Sequence, residues 1–599
     1  MRVSVSARTS RAAAVSVIGL AILAAAACGD DRDGFAKGPA GFVTPDEADA
    51  GECQYQCSLD GRSVIRSCTG EVVETCAPEL ACGAARCQNP CDAAADDKSS
   101  NGCEFFFQSP APRGEAGAGD SCYAAFVVNT SAQPVNLTLD REGKELDLSK
   151  SMFRTNPGDA TTFIHHTGPV APGESIILFL SDRDPSTPLA EGSHSIACPA
   201  GVTPTVLAGL SLPGTGLGPS FHLKADVPVS LVSMFPFGGA KSYIPSATLH
   251  LPVTTWTKEH LVVTAWEATH TGNPTTQIVA SEDDTEITVV PARALQDAVG
   301  IRGGPAGMPV KYRLARGQYL QFAQFEELGG SIVTSNKPTS LFSGHQCAYV
   351  PTSQGACDTL GQQIPAFEQW GSEYVAVGYR PRLGEEHEPM PYRIVAARDG
   401  TRLDYDPAIP AGAPTELSAG QSVTFPAGVG DAFVVRTQDA DHPIYVAAYM
   451  TGWTGGYFGA PSSGGWGDPE FVNVVPSGQY LSSYSFYADP TYDETSLVVV
   501  RAKKHGEFKD VWLECAGNLT DFRPLGTRGD YEFTRVDLSK GRGPGQQFGD
   551  KICQSGLQRM KSDGPFTATV WGWGFAASYA YPGGMAHRKL VTTPLTTVN

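Results

Sequence analysis

Apolar and polar residues alternate along most of the chain with the two-residue period of a β-strand. Residues 277–281 and 285–290 alternate on either side of the acidic Glu282-Asp283-Asp284, and residues 392–396 and 401–405 do so around Arg398-Asp399-Gly400. This pattern predicts antiparallel hairpins with acidic turns. The alternating residues are largely β-branched and aromatic, and Gly and Pro recur at short intervals, so a helical fold is excluded.

Four prolines divide the alternating region at similar intervals. Pro228, Pro338, Pro443 and Pro565 each follow a polar turn and precede an apolar run, and they stand 110, 105 and 122 residues apart. Proline suits the first position of a strand, where a backbone N–H can be spared. We therefore predict one structural unit that is used four times.

Further signals recur once in each unit. A glycine precedes the third predicted strand of every unit, and a tight turn into a strand often needs the positive φ that glycine allows. These glycines are Gly173, Gly317, Gly420 and Gly529. An aromatic residue follows a proline bend between units, at Trp256, Trp370 and Tyr480, and we expect it to pack where adjacent units meet.

These observations predict an all-β fold of four tandem antiparallel β units, preceded by a small disulfide-rich segment. A propeller-like ring and a row of packed sandwiches would both cover the sheet edges. The predicted limits are 1–27 for a signal peptide, 28–50 for a tether, 51–107 for the Cys-rich segment and 108–596 for the repeated domain. The units span about residues 120–252, 253–365, 366–476 and 477–596.

The N-terminus has the pattern of an export signal. Arg2, Arg8 and Arg11 precede an apolar stretch, residues 15–23, that is too short to span a bilayer. Ala25-Ala26-Ala27-Cys28-Gly29 follows, and it resembles the bacterial lipoprotein signal, in which the cysteine is acylated. An ordinary cleavable signal is the alternative. With Cys28 lipidated, residues 28–50 would tether the domain to the membrane.

Cysteine usage agrees with export, because 14 of the 15 cysteines remain when Cys28 is set aside. Eight lie between Cys53 and Cys103, with no Cys-x-x-Cys and no histidine among them, which favours disulfides over zinc. The eight allow 105 connectivities. The candidate local pairs are Cys91–Cys103, Cys122–Cys198, Cys347–Cys357 and Cys515–Cys553.

A net charge of −19 excludes nucleic acid as an expected partner, because a phosphate backbone would be repelled. The chain has no G-x-S-x-G, HExxH or phosphate-binding glycine loop, and we expect no cofactor, metal or catalytic residue. Arg528-Gly529-Asp530 and the acidic turns at Asp283 and Asp399 are better explained as turns than as an integrin motif or calcium loops.

Several segments resemble the IgGFc-binding protein N-terminal domain family. They are residues 98–105, residues 122–130, and the closing residues 562–566 and 578–584, so the likeness covers roughly residues 90 to 590. The form with a preceding Cys-rich segment is similar to lipoproteins of myxobacteria. The resemblance implies an extracellular binding or adhesion role and implies no catalytic residues.

Glycine-rich aromatic loops after the fourth strands are the candidate binding surface. The richest one contains Tyr449, Trp453, Tyr457, Phe458 and Trp466, which could stack on sugars or on a protein. Equivalent loops fall at residues 235–243, 344–363 and 571–581, and in a ring the four would share one rim. The alternative is that the aromatics only plug the ring or cap unit edges.

The sequence thus indicates a cell-envelope lipoprotein, at the outer membrane or surface of a Gram-negative bacterium, whose β domain binds an extracellular protein or glycan. A structural envelope component without a specific ligand is the second hypothesis. A glycan hydrolase, with paired carboxylates distant in sequence, is the third.

We predict that the six later cysteines form disulfides only within their own units. Peptide mapping of the non-reduced protein by mass spectrometry should recover the 122–198, 347–357 and 515–553 links. A link joining cysteines of two different units would contradict the repeat.

Overall fold

The computed structural model describes residues 53–112, 118–188, 195–239, 244–384, 386 and 388–595, all of them within one compact unit. The predicted signal peptide, Cys28 and the tether lie outside the described residues. Within these ranges, none of the helices has the length and apolar character needed to cross a bilayer. Nearly all regular structure is β, as predicted.

The Cys-rich segment folds around its cross-links. Its elements are β1 (Tyr55–Cys57), β2 (Ser63–Arg66), β3 (Val72–Thr75), β4 (Ala81–Gly83), β5 (Arg86–Gln88) and the helix α1 (Pro90–Asp97). Its disulfides are Cys53–Cys68, Cys57–Cys82, Cys76–Cys87 and Cys91–Cys103. Three cysteines and Val64 form its small core, so covalent bonds replace most of the apolar packing.

The strands that follow form four successive groups along the chain; three of the groups contain one long strand, and the third has two shorter strands in its place. The first group is β6 (Gly102–Phe107), β7 (Tyr123–Asn129), β8 (Leu137–Arg141), β9 (Lys144–Glu145), β10 (Met152–Arg154), β11 (Ile164–His165), β12 (Ser175–Asp182), β13 (Val206–Leu207), β14 (Gly216–Pro219), β15 (Phe221–Phe235) and β16 (Ser246–His250). The second is β17 (Thr257–Leu261), β18 (Pro274–Ala280), β19 (Thr285–Val290), β20 (Val310–Leu314), β21 (Gln318–Ala323), β22 (Ile332–Ala348) and β23 (Asp358–Ile364). β14 precedes this group in the chain but pairs with its strand β21.

The third group is β24 (Glu373–Ala376), β25 (Pro389–Ala396), β26 (Thr401–Asp406), β27 (Glu416–Leu417), β28 (Ser422–Gly428), β29 (Phe433–Thr437), β30 (Ile444–Met450) and β31 (Glu470–Asn473). The fourth is β32 (Leu481–Ala488), β33 (Glu494–Ala502), β34 (Val511–Leu513), β35 (Gly517–Asn518), β36 (Arg523–Leu525), β37 (Tyr531–Lys540), β38 (Gly543–Pro544), β39 (Gln547–Phe548), β40 (Lys551–Ile552), β41 (Gly556–Gly574) and β42 (Ala577–Pro582).

The first, second and fourth groups are each organised by a strand that changes partners at its proline. The first half of β22 pairs with β17 and β19, and its second half, beyond Pro338, pairs with β18 and β23. β15 changes partners at Pro228 and β41 at Pro565, while Pro443 separates β29 from β30. The four prolines therefore occupy equivalent positions, as predicted.

The predicted hairpins are wrong, although their strands exist. β18 and β19 do not pair with each other; both pair with β22, on opposite sides of Pro338. β25 and β26 likewise pair with β30 and β29. The acidic residues between them form a corner opposite the proline. Alternation cannot distinguish a corner from a hairpin, because the strands on both sides of either feature alternate in the same way.

The glycine turns are confirmed. Gly173, Gly317, Gly420 and Gly529 have φ values of 69°, 71°, 72° and 73°, which place all four in the left-handed region. The acidic corner helps to hold this turn, because Asp283 Oδ1 accepts the Arg316 N–H at 3.0 Å and Asp399 Oδ1 accepts the Ala419 N–H at 2.9 Å. These carboxylates therefore have a structural role.

The last strands of the four groups contact one another in a closed circuit. We call β16, β23, β31 and β42 the exit strands; β16 contacts β23, β23 contacts β31, β31 contacts β42, and β42 contacts β16. Curled two-layered units thus surround a common centre, which combines features of the two predicted architectures. The predicted limits of the individual units stay a prediction.

The aromatic residues between units are core residues, as predicted. Trp256 packs with Phe106 of the first group and Phe342 of the second. Trp370 is 1% exposed, lies 5.5 Å from the Tyr445 ring centroid and donates its indole N–H to the Pro365 carbonyl at 3.0 Å. Each aromatic side chain therefore seals the boundary between two successive groups.

A C-terminal strap, residues 583–595, joins the beginnings of all four groups. The Ser100 N–H donates to the Met585 carbonyl at 2.8 Å, and the Ala586 N–H donates to the Gln479 carbonyl at 2.9 Å. Further along, the Leu590 N–H donates to the Glu368 carbonyl at 2.8 Å, and the Leu595 N–H reaches Glu259 at 3.2 Å. The end of the chain thereby ties the first group to the other three.

We predict that Trp370→Ala lowers the free energy of unfolding by about 3–5 kcal/mol, because it leaves a cavity between two units. Chemical denaturation followed by circular dichroism measures the loss. The half-buried Trp512 on β34 provides a matched control, and Trp512→Ala should cost clearly less. Equal losses for the two variants would contradict a boundary role for Trp370.

Candidate functional site

Three of the four predicted loops meet on one surface, at the ends of the exit strands. The loop at 349–357 contacts the loop at 451–469, since the Gly452 N–H donates to the Val350 carbonyl at 2.9 Å and Thr454 Oγ1 donates to the Gly355 carbonyl at 3.0 Å. The Ala576 N–H of the β41–β42 turn donates to the Gly465 carbonyl at 2.7 Å. In the remaining loop, residues 240–243 lie outside the described residues.

Four aromatic side chains lie on this surface, and we call them the rim patch: Trp453, Phe458, Trp466 and Phe575. Trp453 is half-buried and stacks on Phe575, with ring centroids 6.5 Å apart. Trp466 is 39% exposed, Phe575 56% and Phe458 70%. The patch therefore offers ring faces from two different groups to a ligand.

Two of the predicted ligand residues do not belong to this surface. Tyr449 is fully buried, donates its hydroxyl to the Ala265 carbonyl at 2.7 Å, and has its pKa raised to about 12 by burial. Tyr457 is also buried and packs edge-on against Phe458. Both follow the aromatic pattern of the loop but serve the core. The sequence pattern does not single out Phe575, which belongs to the fourth group and lies beside the other rings only because the four groups close into a ring.

A buried ion pair fixes the largest loop of the site. Arg382 Nε lies 2.7 Å from Glu388 Oε1, and both side chains are almost fully buried. The same guanidinium donates to the Thr451 carbonyl at 2.8 Å and to the Trp466 carbonyl at 3.1 Å, so it holds the two ends of the loop. These contacts join residues far apart in the chain, and no local sequence signal reveals them.

Three carboxyl groups are buried at the loop ends of the exit strands. Asp358 opens β23, Glu470 opens β31, and Asp468 stands two residues before β31; each is at most 1% exposed. Burial raises the pKa of Asp358 well above its usual value, and the charges of Asp468 and Glu470 raise it further. Burial also raises the pKa of Asp468 and Glu470, partly offset at Asp468 by the Trp453 N–H and Arg382.

Other candidate residues are engaged in the fold. Arg528 pairs with Asp404 at 2.5 Å and Asp530 with Arg436 at 3.4 Å, so the Arg-Gly-Asp tripeptide connects the fourth group to the third. Cys347 is disulfide-bonded to Cys357. The other two candidate pairs, Cys122–Cys198 and Cys515–Cys553, are also disulfides. In the described part of the chain, no three His, Cys, Asp or Glu side chains form a group suited to a metal ion.

A separate cleft of about 550 Å³ lies between the second and third groups. Three carboxylates and one guanidinium line it, together with an aromatic ring that is 66% exposed; these residues are Glu267, Glu326, Glu327, Arg293 and Phe325. Carboxylates beside an exposed aromatic ring suit a cationic or a sugar ligand. The cleft is a second candidate site, which the sequence did not indicate.

Comparison with known proteins identifies the repeated domain. The family described as "IgGFc binding protein" matches residues 246–572, more than half of the chain. The IgGFc-binding protein of Homo sapiens is 29% identical over 102 residues, which are 17% of this chain and 2% of that protein. The chain thus corresponds to a very small part of this relative. No solved structure matches the chain.

We predict that Arg382→Ala lowers the free energy of unfolding by about 3–5 kcal/mol, because it leaves Glu388 buried without its partner. Limited proteolysis should also show faster cleavage within residues 451–469, since the loop loses its anchor. Arg528→Ala, which breaks an exposed pair, is the control and should change neither measurement appreciably. Unchanged proteolysis of the Arg382 variant would exclude the anchoring role.

Proposed function

Because the chain belongs to the IgGFc-binding protein family, we propose that it is an extracellular binding module that recognises a protein or a glycan through the rim patch. The observation that carries this proposal is the convergence of loops from separate groups, which presents Trp453, Phe458, Trp466 and Phe575 on one surface. Loops on a rigid scaffold are the usual carriers of binding function.

The chemistry of the patch supports this role. Exposed aromatic rings stack on the apolar faces of sugars, and tryptophan is enriched among the residues that dominate protein interfaces. The Arg382–Glu388 pair and the contacts between loops hold the rings in place before a ligand arrives, which reduces the entropy lost on binding. A structural component without a specific ligand would have no need for such an arrangement of exposed rings.

We further propose that Cys28 carries a lipid that anchors the protein to the cell envelope, at the outer membrane or surface of a Gram-negative bacterium. The support is the signal pattern before Cys28 and the polar residues 29–50, which provide a tether. The anchor would leave the repeated domain facing its partner.

We predict that the purified protein binds a member of a glycan array or of an extracellular protein panel, and that Trp453→Ala/Trp466→Ala weakens this binding by about tenfold or more. The panel includes IgG Fc, which the human relative is named for binding. Circular dichroism establishes that the double variant is folded, and Trp512→Ala serves as the tryptophan control with unchanged affinity.

Four outcomes contradict the proposal. Unfolding of the double variant would show that the tryptophans only plug the ring. Binding that is unaffected in a folded double variant would place the ligand elsewhere, and the absence of any binding would contradict a binding role. Hydrolysis of a bound glycan, abolished by Glu326→Gln, would assign a hydrolase to the cleft between the second and third groups instead.

A further inference from the structure

Beneath the rim patch, two buried aspartates come from neighbouring groups. Asp358 and Asp468 each stand where a loop of the site enters its exit strand, and they are 0% and 1% exposed. The charges of Asp468 and Glu470 raise the pKa of Asp358, whereas the charge of Arg382 lowers that of Asp468. Burying ionised carboxylates without partners is costly, so natural structures pair them with cations, donors or metals.

The oxygens of these groups have few partners. Both carboxylate oxygens of Asp358 and Oδ1 of Asp468 are buried without a hydrogen-bond partner. Two neutral groups of the same region share this property, namely the Tyr492 hydroxyl and Gln362 Oε1, both fully or nearly fully buried. Burial raises the pKa of Tyr492, and the charges of Asp489 and Asp358 raise it further. The fold thus buries several oxygens without hydrogen-bond partners.

Backbone carbonyls add further oxygens at the same place. Around Gly452, the position of a Cβ atom would lie 3.3 Å from Asp468 Oδ1, 3.4 Å from the Ala356 carbonyl oxygen and 3.5 Å from the Gly355 carbonyl oxygen. Three oxygens from two loops therefore lie close together beside Gly452. Carboxylate and carbonyl oxygens are the ligands that calcium prefers.

When ionised, the three carboxyls carry more negative charge than the nearby cation offsets. Among the described residues, Arg382 is the cation that acts on Asp468, and its guanidinium is engaged by Glu388. Glu470 adds a carboxylate whose Oε1 accepts the Phe471 N–H at 2.8 Å, whereas Oε2 has no partner. A bound dication would compensate this excess of negative charge.

We propose that a calcium ion binds between Asp358 and Asp468, with the Gly355 and Ala356 carbonyls as further ligands. This site would use two carboxylates and two backbone carbonyls, so it differs from the clusters of three His, Cys, Asp or Glu side chains considered above. The ion would tie the loop at 349–357 to the loop at 451–469, directly below Trp453 and Trp466. It would therefore order the surface on which ligand recognition depends, whatever the ligand is.

The test uses the full chain after treatment with EDTA, titrated with CaCl₂ in a calorimeter. We expect binding of about one ion per chain and a higher melting temperature with calcium. Asp358→Asn/Asp468→Asn keeps the shape of both side chains and should weaken calcium binding by about tenfold or more. Asp283→Asn/Asp284→Asn removes the same charge from an exposed corner and is the control, with unchanged binding.

A second measurement locates the ion without relying on the double variant. Terbium, which occupies calcium sites, should emit when tryptophan is excited, and calcium should quench the emission by displacement. Trp453→Phe should reduce the emission but leave calcium binding intact. The proposal is overturned if the stripped chain binds no calcium, if the aspartate variant binds it as well as the parent, or if terbium emission is independent of Trp453. In the first case, the two carboxyls are protonated and need no ion.

Discussion

The mutual burial of the exit strands is the constraint on which the rest of the structure depends. A short antiparallel sheet leaves an edge with unpaired backbone groups, and such an edge invites aggregation. Here each exit strand lies against the next, and β42 returns to β16. Gln362 shows how tightly the centre is built, because its Nε2 donates both to Ala247 of β16 and to Ala580 of β42. No unit can bury its inner edge without its neighbours.

This constraint explains why the site lies where it does. The loops that lead into the exit strands must end close together because the strands do. Closure of the four groups into a ring is therefore enough to bring Trp453 next to Phe575, and no long insertion is needed in either loop. The same closure forces Asp358 and Asp468 into an enclosed space, where isolated charge is expensive. The exposed aromatic rings and the buried carboxyls thus have one geometric origin.

The sequence predicted the features that depend on local backbone chemistry. A proline at a partner change and a glycine at positive φ leave the same signature in every copy, so the amino-acid pattern alone was enough to place Pro338 and Gly317. The aromatic residue after each bend was also correctly assigned to the core. The hairpins failed because β18 and β19 share the partner β22 rather than each other. Arg382 and Phe575 were missed because their roles depend on contacts across the ring, which no local pattern records.

The strap affects the order in which the parts of the fold assemble. Residues 583–595 follow all four groups in the chain, and they contact the beginning of every group. The corners and disulfides of each group can form before the strap is synthesised, whereas the strap can bind only when all four groups are present. The strap is therefore synthesised after the four groups that it holds together.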